Sequence, residues 1–279
     1  DAADRESFEA SVLRVARRDY ERKRRVPSEL LAEMTRAGSL GYVAWLEARA
    51  AVDFDILRPH LERRIALMHE YVACHEPYDD PYDVLLHENE PGMRTAEVEA
   101  VFARLKEELV PLVAGIGDLV DDSFVGGDFP VERQREFSLE VLTRWGMDDQ
   151  AWRLDDTVHP FATNTSASDI RLTARFNRGD LMGILSCLHE FGHGVYERQV
   201  DARYFRTPLQ AGASAAFHES QSRLWENVVG RRLSTWRFFY PRLQEMLQPQ
   251  FGDVPIEDFL RVLNRVALGP VRVDADEVT

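Results

Sequence analysis

The sequence predicts a mainly α fold with one small β-sheet next to a buried helix that carries the candidate chemistry. Three observations carry that prediction. Apolar residues recur at three- and four-residue intervals through most of the chain, which is the period of an amphipathic helix. One stretch, Asp169 to Phe176, alternates apolar and polar residues with period two, as a half-exposed strand does. That strand leads into Leu181 to Val200, LMGILSCLHEFGHGVYERQV, an apolar helix body enclosing a polar motif. With 279 residues the chain is long enough to bury a sizeable core. No internal repeat or low-complexity linker divides it, so residues 1–279 are expected to form a single domain.

The helices follow in order. Glu6 to Arg25 places Phe8, Val12, Val15, Ala16 and Tyr20 on one face and ends in the basic run RRDYERKRR. That run is read as a solvated helix end whose positive charges suit the C-terminal dipole, rather than as an anion site. Pro27, Ser28 and Glu29 mark a restart. Asp53 to Cys74 forms the next helix provided that Pro59 lies in its first turn. The acidic stretch EPYDDPYDVLLHENEPG, broken by three prolines, reads as a surface connection, and the spacing of His75 and His87 fits no metal-ligand pattern. Thr95 opens a helix with Val98, Val101, Phe102, Leu105 and Leu109 on one face. Val131 to Trp145 forms another, closed by Gly146.

In the strand, Ile170, Leu172, Ala174 and Phe176 alternate against Arg171, Thr173 and Arg175. Such a strand either pairs with an extended substrate or belongs to a structural hairpin with solvated arginines, and periodicity favours neither.

The helix that follows carries His189, Glu190 and His193 in the order H-E-x-x-H. Residues four apart share a helical face, so the two imidazoles converge on one ion. Glu190, rotated about 100° from His189, is the candidate general base for a water at that ion. Cys187, about 200° round the helix from His189, reads as a small buried side chain rather than a ligand. Gly192 and Gly194 weaken the helix but admit a close neighbour. The competing explanation is a chance match on an ordinary amphipathic helix. Catalytic zinc needs a third protein ligand. Glu197 is unsuitable, since its Cα lies about 12 Å along the axis from that of His189. The third ligand is therefore expected from another helix, and FHESQSRLWENVVGRRLSTWRFF, with Phe217, Gln221, Leu224 and Val228 near one face, supplies candidates in His218, Glu219 and Glu226. Spacing does not choose between them.

The formal charge of −14 argues against a nucleic-acid partner, and no apolar run approaches the length of a membrane span. Only Lys23 and Lys106 among the basic residues are lysine, a bias from which no function is read. The two cysteines, Cys74 and Cys187, form no closely spaced framework, which points to a reducing, cytoplasmic setting.

HEFGH at 189–193 followed by HESQSRLWEN from His218 resembles the M32 metallocarboxypeptidases, the carboxypeptidase Taq family. His159-Pro160-Phe161 is similar to the family's HPF motif. Asp169, Arg171 and Thr173 match DxRxT, and VRVDAD from Val271 to Asp276 resembles IRxxAD with valine in first place. The resemblance implies a zincin-type helical metallopeptidase with a deep groove, usually a homodimer. It implies zinc, or Co2+ in its place, held by His189, His193 and Glu219, with Glu190 as general base, removing C-terminal amino acids from peptides. Arg171 and Arg272, in the matching motifs, are the candidates for holding the substrate's terminal carboxylate, each with a structural ion pair as the alternative. The family's members are longer. This chain stops at Thr279, before the region bearing GxxQDxHW, and is expected to lack residues before Asp1 as well. Two competing readings follow: a helical oligopeptidase that cuts internal bonds, and a metal-binding remnant of a carboxypeptidase with impaired catalysis.

Overall fold

Caps, prolines and one glycine fix where the helices begin and end. The computed structural model describes residues 7–116, 127–249 and 251–265. The Val271–Asp276 motif and Arg272 lie outside them. The chain divides into two compact units, Asp1–Phe102 and Ala103–Thr279.

In the first unit, α1 (Phe8–Lys23) starts where the Ser7 hydroxyl accepts the Ala10 N–H, and α2 (Ser28–Ala51) starts after Pro27. A 3-10 turn, Phe54–Ile56, precedes α3 (Arg58–Ala73), which carries Pro59 in its first turn as expected. The small residues Ala37, Gly41, Ala44 and Ala48 form the buried side of α2, and Gly41 faces His60 and Arg64 of α3. The acidic stretch is more ordered than expected: Asp80 caps a helix, α4 (Pro81–Asn89), with proline in the first turn, a start signal hidden among the other prolines. Asp83 accepts the Thr95 N–H at 2.6 Å and its hydroxyl at 2.7 Å, joining α4 to the start of α5 (Thr95–Ile116). None of the described side chains of α1 or α5 is fully buried: Val12, Val15, Ala16, Val98, Leu105 and Leu109 are half-buried, and Phe8, Tyr20, Val101 and Phe102 are exposed.

The second unit opens with α6 (Val131–Arg144). Gly146 takes φ 110°, the left-handed conformation that lets the Met147 N–H reach back to the Leu142 carbonyl at 2.9 Å. Strands β1 (Trp152–Asp156), β2 (Ala162–Ser166) and β3 (Asp169–Ala174) form a sheet in the order β1-β3-β2, with β3 parallel to β1 and antiparallel to β2. Being central, β3 has both edges paired. The hairpin alternative is the one realised, and β3 itself offers no edge to a peptide. Alternation turns Ile170 toward the next helix, α7 (Met182–Arg198), and Arg171 to the opposite face.

The expected helix from Phe217 to Phe239 is broken. It consists of α8 (Ala215–Arg223), a π-helical turn over Leu224–Val229 closed by the Gly230 N–H on the Trp225 carbonyl, and α9 (Leu233–Met246). Helix α10 (Ile256–Leu263) follows. The face that identified this helix, Phe217, Leu224 and Val228, is exposed, whereas Ser222 and Glu226 are buried. The polar side faces inward because the site lies there. Leu142, Ile170, Leu172, Leu188, Phe191, Leu243 and Phe251 fill the core around α7, and each such side chain removed from water contributes about 1.5–3 kcal/mol. No helix among the described residues is long and apolar enough to cross a membrane.

Candidate metal centre

The buried part of α7 is supplied by Ile184, Leu185, Cys187, Leu188 and Phe191. Cys187 is fully enclosed, and burial pushes its thiol up to about 12, so it is the inert apolar side chain expected. His189 and His193 emerge from this body one turn apart, their ring centroids 4.9 Å apart. Helix α8 passes close enough to meet them because position 192 is glycine. A Cβ there would stand 2.5 Å from the Gln221 carbonyl oxygen and 2.6 Å from the Ser222 Cα. The close neighbour expected at Gly192 is thus the backbone of α8, and at Gly194 it is Trp152 and Ile170.

The contact brings Glu219 to the two imidazoles. Its carboxylate oxygens lie 3.6 Å from His189 Nε2 and 3.4 Å from His193 Nε2, and one donor atom from each of the three residues lies within 4.8 Å of the others. Donors bound at about 2.0–2.1 Å around a tetrahedral ion stand roughly 3.3 Å apart, so these separations fit a small divalent cation. Charge fits it too. The His193 hydrogen bond, ahead of burial, sets the Glu219 carboxyl, which is held down to about 2. Burial disfavours the imidazolium of His189, but Glu226, Glu190 and Glu219 outweigh it and raise its pKa: this pocket selects for positive charge. Among the described residues this is the one metal-competent cluster.

The other candidates from that helix stand behind the two imidazoles. Glu226 Oε2 lies 2.9 Å from His189 Nδ1, and His218 Nδ1 lies 2.6 Å from His193 Nδ1. Arg223, reaching Glu219 Oε1 at 3.2 Å and Glu226 Oε2 at 3.0 Å, compensates both carboxylates, and Arg231 adds a second cation at 3.4 Å from Glu226. Sequence reasoning missed both arginines. The spacing of Glu219, Arg223 and Glu226, four and then three residues, placed them on one face and was the available signal. Nothing local marked Arg231.

Glu190 is buried on α7 next to His189. Desolvation chiefly, with repulsion from Glu219 and Glu226, lifts its carboxyl to about 7 against the pull of His189. Arg171 is exposed and forms a bidentate pair with Asp169, both bonds 3.0 Å, which raises its pKa. Thr173 of the same motif accepts the Phe161 N–H at 2.8 Å and donates to its carbonyl at 2.9 Å, so DxRxT pins HPF across the sheet.

The family model for carboxypeptidase Taq (M32) metallopeptidases matches residues 1–279. The chain belongs to the M32 family. Among its M32 relatives, Thermostable carboxypeptidase 1 of Thermus thermophilus is 40% identical over 280 residues, covering 96% of this chain and 55% of the relative. Carboxypeptidase 1 of Bacillus subtilis is 37% identical over 271 residues, covering 96% and 54%. The crystal structure of an M32 carboxypeptidase from Deinococcus radiodurans R1 superposes with a TM-score of 0.86 at 37% identity, covering 99% of this chain and 57% of that one. The chain therefore spans about half the length of the M32 relatives it matches. The mainly helical fold with its small sheet agrees with that of the M32 structures.

Proposed function

We propose that this chain is the metal-binding part of a zinc-dependent carboxypeptidase, with cobalt an acceptable substitute, acting on peptides with a free C-terminus. The observation that carries the reading is the meeting of His189, His193 and Glu219 from two helices, with a buried carboxylate, Glu190, left over. Zinc held by the three ligands would supply Lewis acidity, polarising the scissile carbonyl and lowering the cost of deprotonating water. Glu190 accepts the proton of the attacking water and passes it to the leaving amine. Its place on α7 beside His189, buried and outside the three-residue cluster, suits both halves of that task. The buried, largely apolar body of α7 encloses Glu190.

Arg171 and Arg272 are our candidates for the terminal carboxylate. Arg171, on the sheet face opposite α7, would have to exchange Asp169 for a substrate that reaches round to that face, and Arg171→Ala should then raise KM about tenfold or more with kcat little changed. An unchanged KM would leave Arg171 as a structural partner of Asp169. We further assign residues 1–279 to one peptidase domain, matched as a whole by the family model. The same reading takes the protein as a cytoplasmic homodimer with no nucleic-acid or membrane partner. It rests on the free thiols of Cys74 and Cys187, the acidic charge and the family resemblance.

The test compares a peptide bearing a free C-terminus with its amidated twin, using the zinc-loaded chain and Glu190→Gln. The expected result is release from the free peptide alone, lost at least about 100-fold in Glu190→Gln while bound zinc is retained. Equal cleavage of both peptides would favour an oligopeptidase. Bound zinc without turnover would favour a non-catalytic metal-binding chain, and equal activity in both proteins would remove Glu190 from the mechanism.

A further inference from the structure

We propose that His218 and Glu197 are positioning residues that fix the tautomer and orientation of His193 through a linear hydrogen-bond chain. The two ligand histidines are thereby held by unlike supports. The inference rests on the metal reading above and assigns roles to residues outside the ligand set.

The argument is one of donors and acceptors. Both ligand imidazoles turn Nε2 toward Glu219. An Nε2 that offers its lone pair to a cation leaves the ring's proton on Nδ1. For His189 that proton meets a carboxylate directly, Glu226 Oε2 at 2.9 Å. For His193 the nearest acceptor is another imidazole, His218 Nδ1 at 2.6 Å. His218 accepts at Nδ1 only if its own proton is on Nε2, and Nε2 lies 2.8 Å from Glu197 Oε1, which as a carboxylate only accepts. One assignment satisfies every atom in the chain: His193 Nδ1–H to His218 Nδ1, and His218 Nε2–H to Glu197. The reverse tautomer of His218 would set two N–H groups against each other at 2.6 Å and face a lone pair to a carboxylate.

The far end of the chain is anchored. Glu197 also accepts the Asn164 side-chain N–H from β2 at 3.1 Å and the Gly212 backbone N–H at 3.3 Å. Residue 212 must be small, since a Cβ there would stand 2.7 Å from His218 Cδ2 and 2.9 Å from Tyr196. The Tyr196 ring meets His218 edge-on at 5.2 Å, fixing the plane of its imidazole. Glu197, too far along α7 to reach the ion, thus acts on it at two removes, and the segment that supplies the ligand Glu219 supplies His218 in the preceding position. A carboxylate in direct contact makes a ligand imidazole more basic, and an interposed neutral imidazole transmits less of that effect. His193 is therefore the more weakly polarised of the two.

The experiment measures zinc affinity by chelator competition in the full chain and in three variants. His218→Phe keeps a ring against Tyr196 and Gly212 but removes both nitrogens, and should weaken zinc binding about 10–100-fold. His218→Gln restores one acceptor and one donor and should recover most of the loss. Glu197→Leu, remote from the ligands, should weaken binding in the same direction by less. The absorption bands of the cobalt-loaded chain should shift in His218→Phe and stay near the parent's in His218→Gln. Unchanged affinity in His218→Phe, or equal weakening in His218→Phe and His218→Gln, would overturn the chain, the second result reducing His218 to a packing role. Should His218→Phe fail to fold, unchanged affinity in Glu197→Leu would overturn it. If the unaltered chain binds no more zinc than His193→Ala, the metal reading itself falls, and this inference with it.

Discussion

The N-terminal unit and the unit that carries the candidate metal centre are both built of helices, yet different forces hold them. Around α7 large side chains are completely enclosed, among them Phe137, Phe191, Leu172 and Leu243, and Trp236, Tyr240, Phe251 and Phe259 add a continuous aromatic cluster. Among its described residues the N-terminal unit has a narrow interior: Val26, the alanines of α2, Leu67, Val72 and Val84. Its elements are linked instead by polar pairs, Arg22 to Glu88, Arg94 to Asp79 and Asp83 to Thr95. An enclosed aromatic or aliphatic side chain contributes about 1.5–3 kcal/mol, an exposed ion pair about 0–1 kcal/mol. The more densely packed unit is the one that brings His189, His193 and Glu219 together from separate helices.

The sharpest way to break this comparison is Phe191→Ala, which removes an enclosed ring packed against Trp145, Trp152 and Trp225. Chemical denaturation should show a loss of about 3–5 kcal/mol. A loss no larger than that from removing Arg22 would erase the distinction between the units. Gly192→Ala should come next, at roughly 1–3 kcal/mol, because the added methyl meets α8 backbone that cannot rotate away. Zinc affinity should fall with it, and an unaffected affinity would show that the helices are free to separate. The smallest effect is expected at Asp83→Asn and concerns pH. The Thr95 hydroxyl and N–H hold the Asp83 carboxyl below its ordinary value. A depressed carboxylate stabilises the fold above its unfolded pKa and loses that contribution as pH falls through the folded one. Asp83→Asn should therefore be slightly less stable at neutral pH and show a flatter acid-unfolding curve. An unchanged acid limb would remove this bond from the forces holding the N-terminal unit.

Much of this was legible in the sequence, and the failures have a common cause. The HExxH helix, the strand before it, the proline in the first turn of α3 and the glycine ending α6 all follow from local rules, and local geometry enforces them. The helix after the site was recognised by Phe217, Leu224 and Val228, yet those residues are exposed and the buried positions are Ser222 and Glu226. Hydrophobic periodicity fails where a helix turns its charged side inward to meet the histidines of a neighbouring helix. The strand's role was undecidable for a related reason: one period describes central and edge strands alike, and pairing on both sides of β3 is long-range information. His218, Glu219 and Glu226 could not be ranked from spacing because all three reach the site. One faces both imidazoles and the other two stand behind one each.

The glycine at 192 has a mechanical consequence. Where two helices touch through side chains, rotamer changes let them breathe; where they touch main chain to main chain, the gap is a fixed dimension. The spacing between paired imidazoles and opposing carboxylate is then set like the jaws of a caliper, and thermal motion moves both jaws together. A site gauged in this way should resist ions of the wrong radius even when their charge and ligand preference are right.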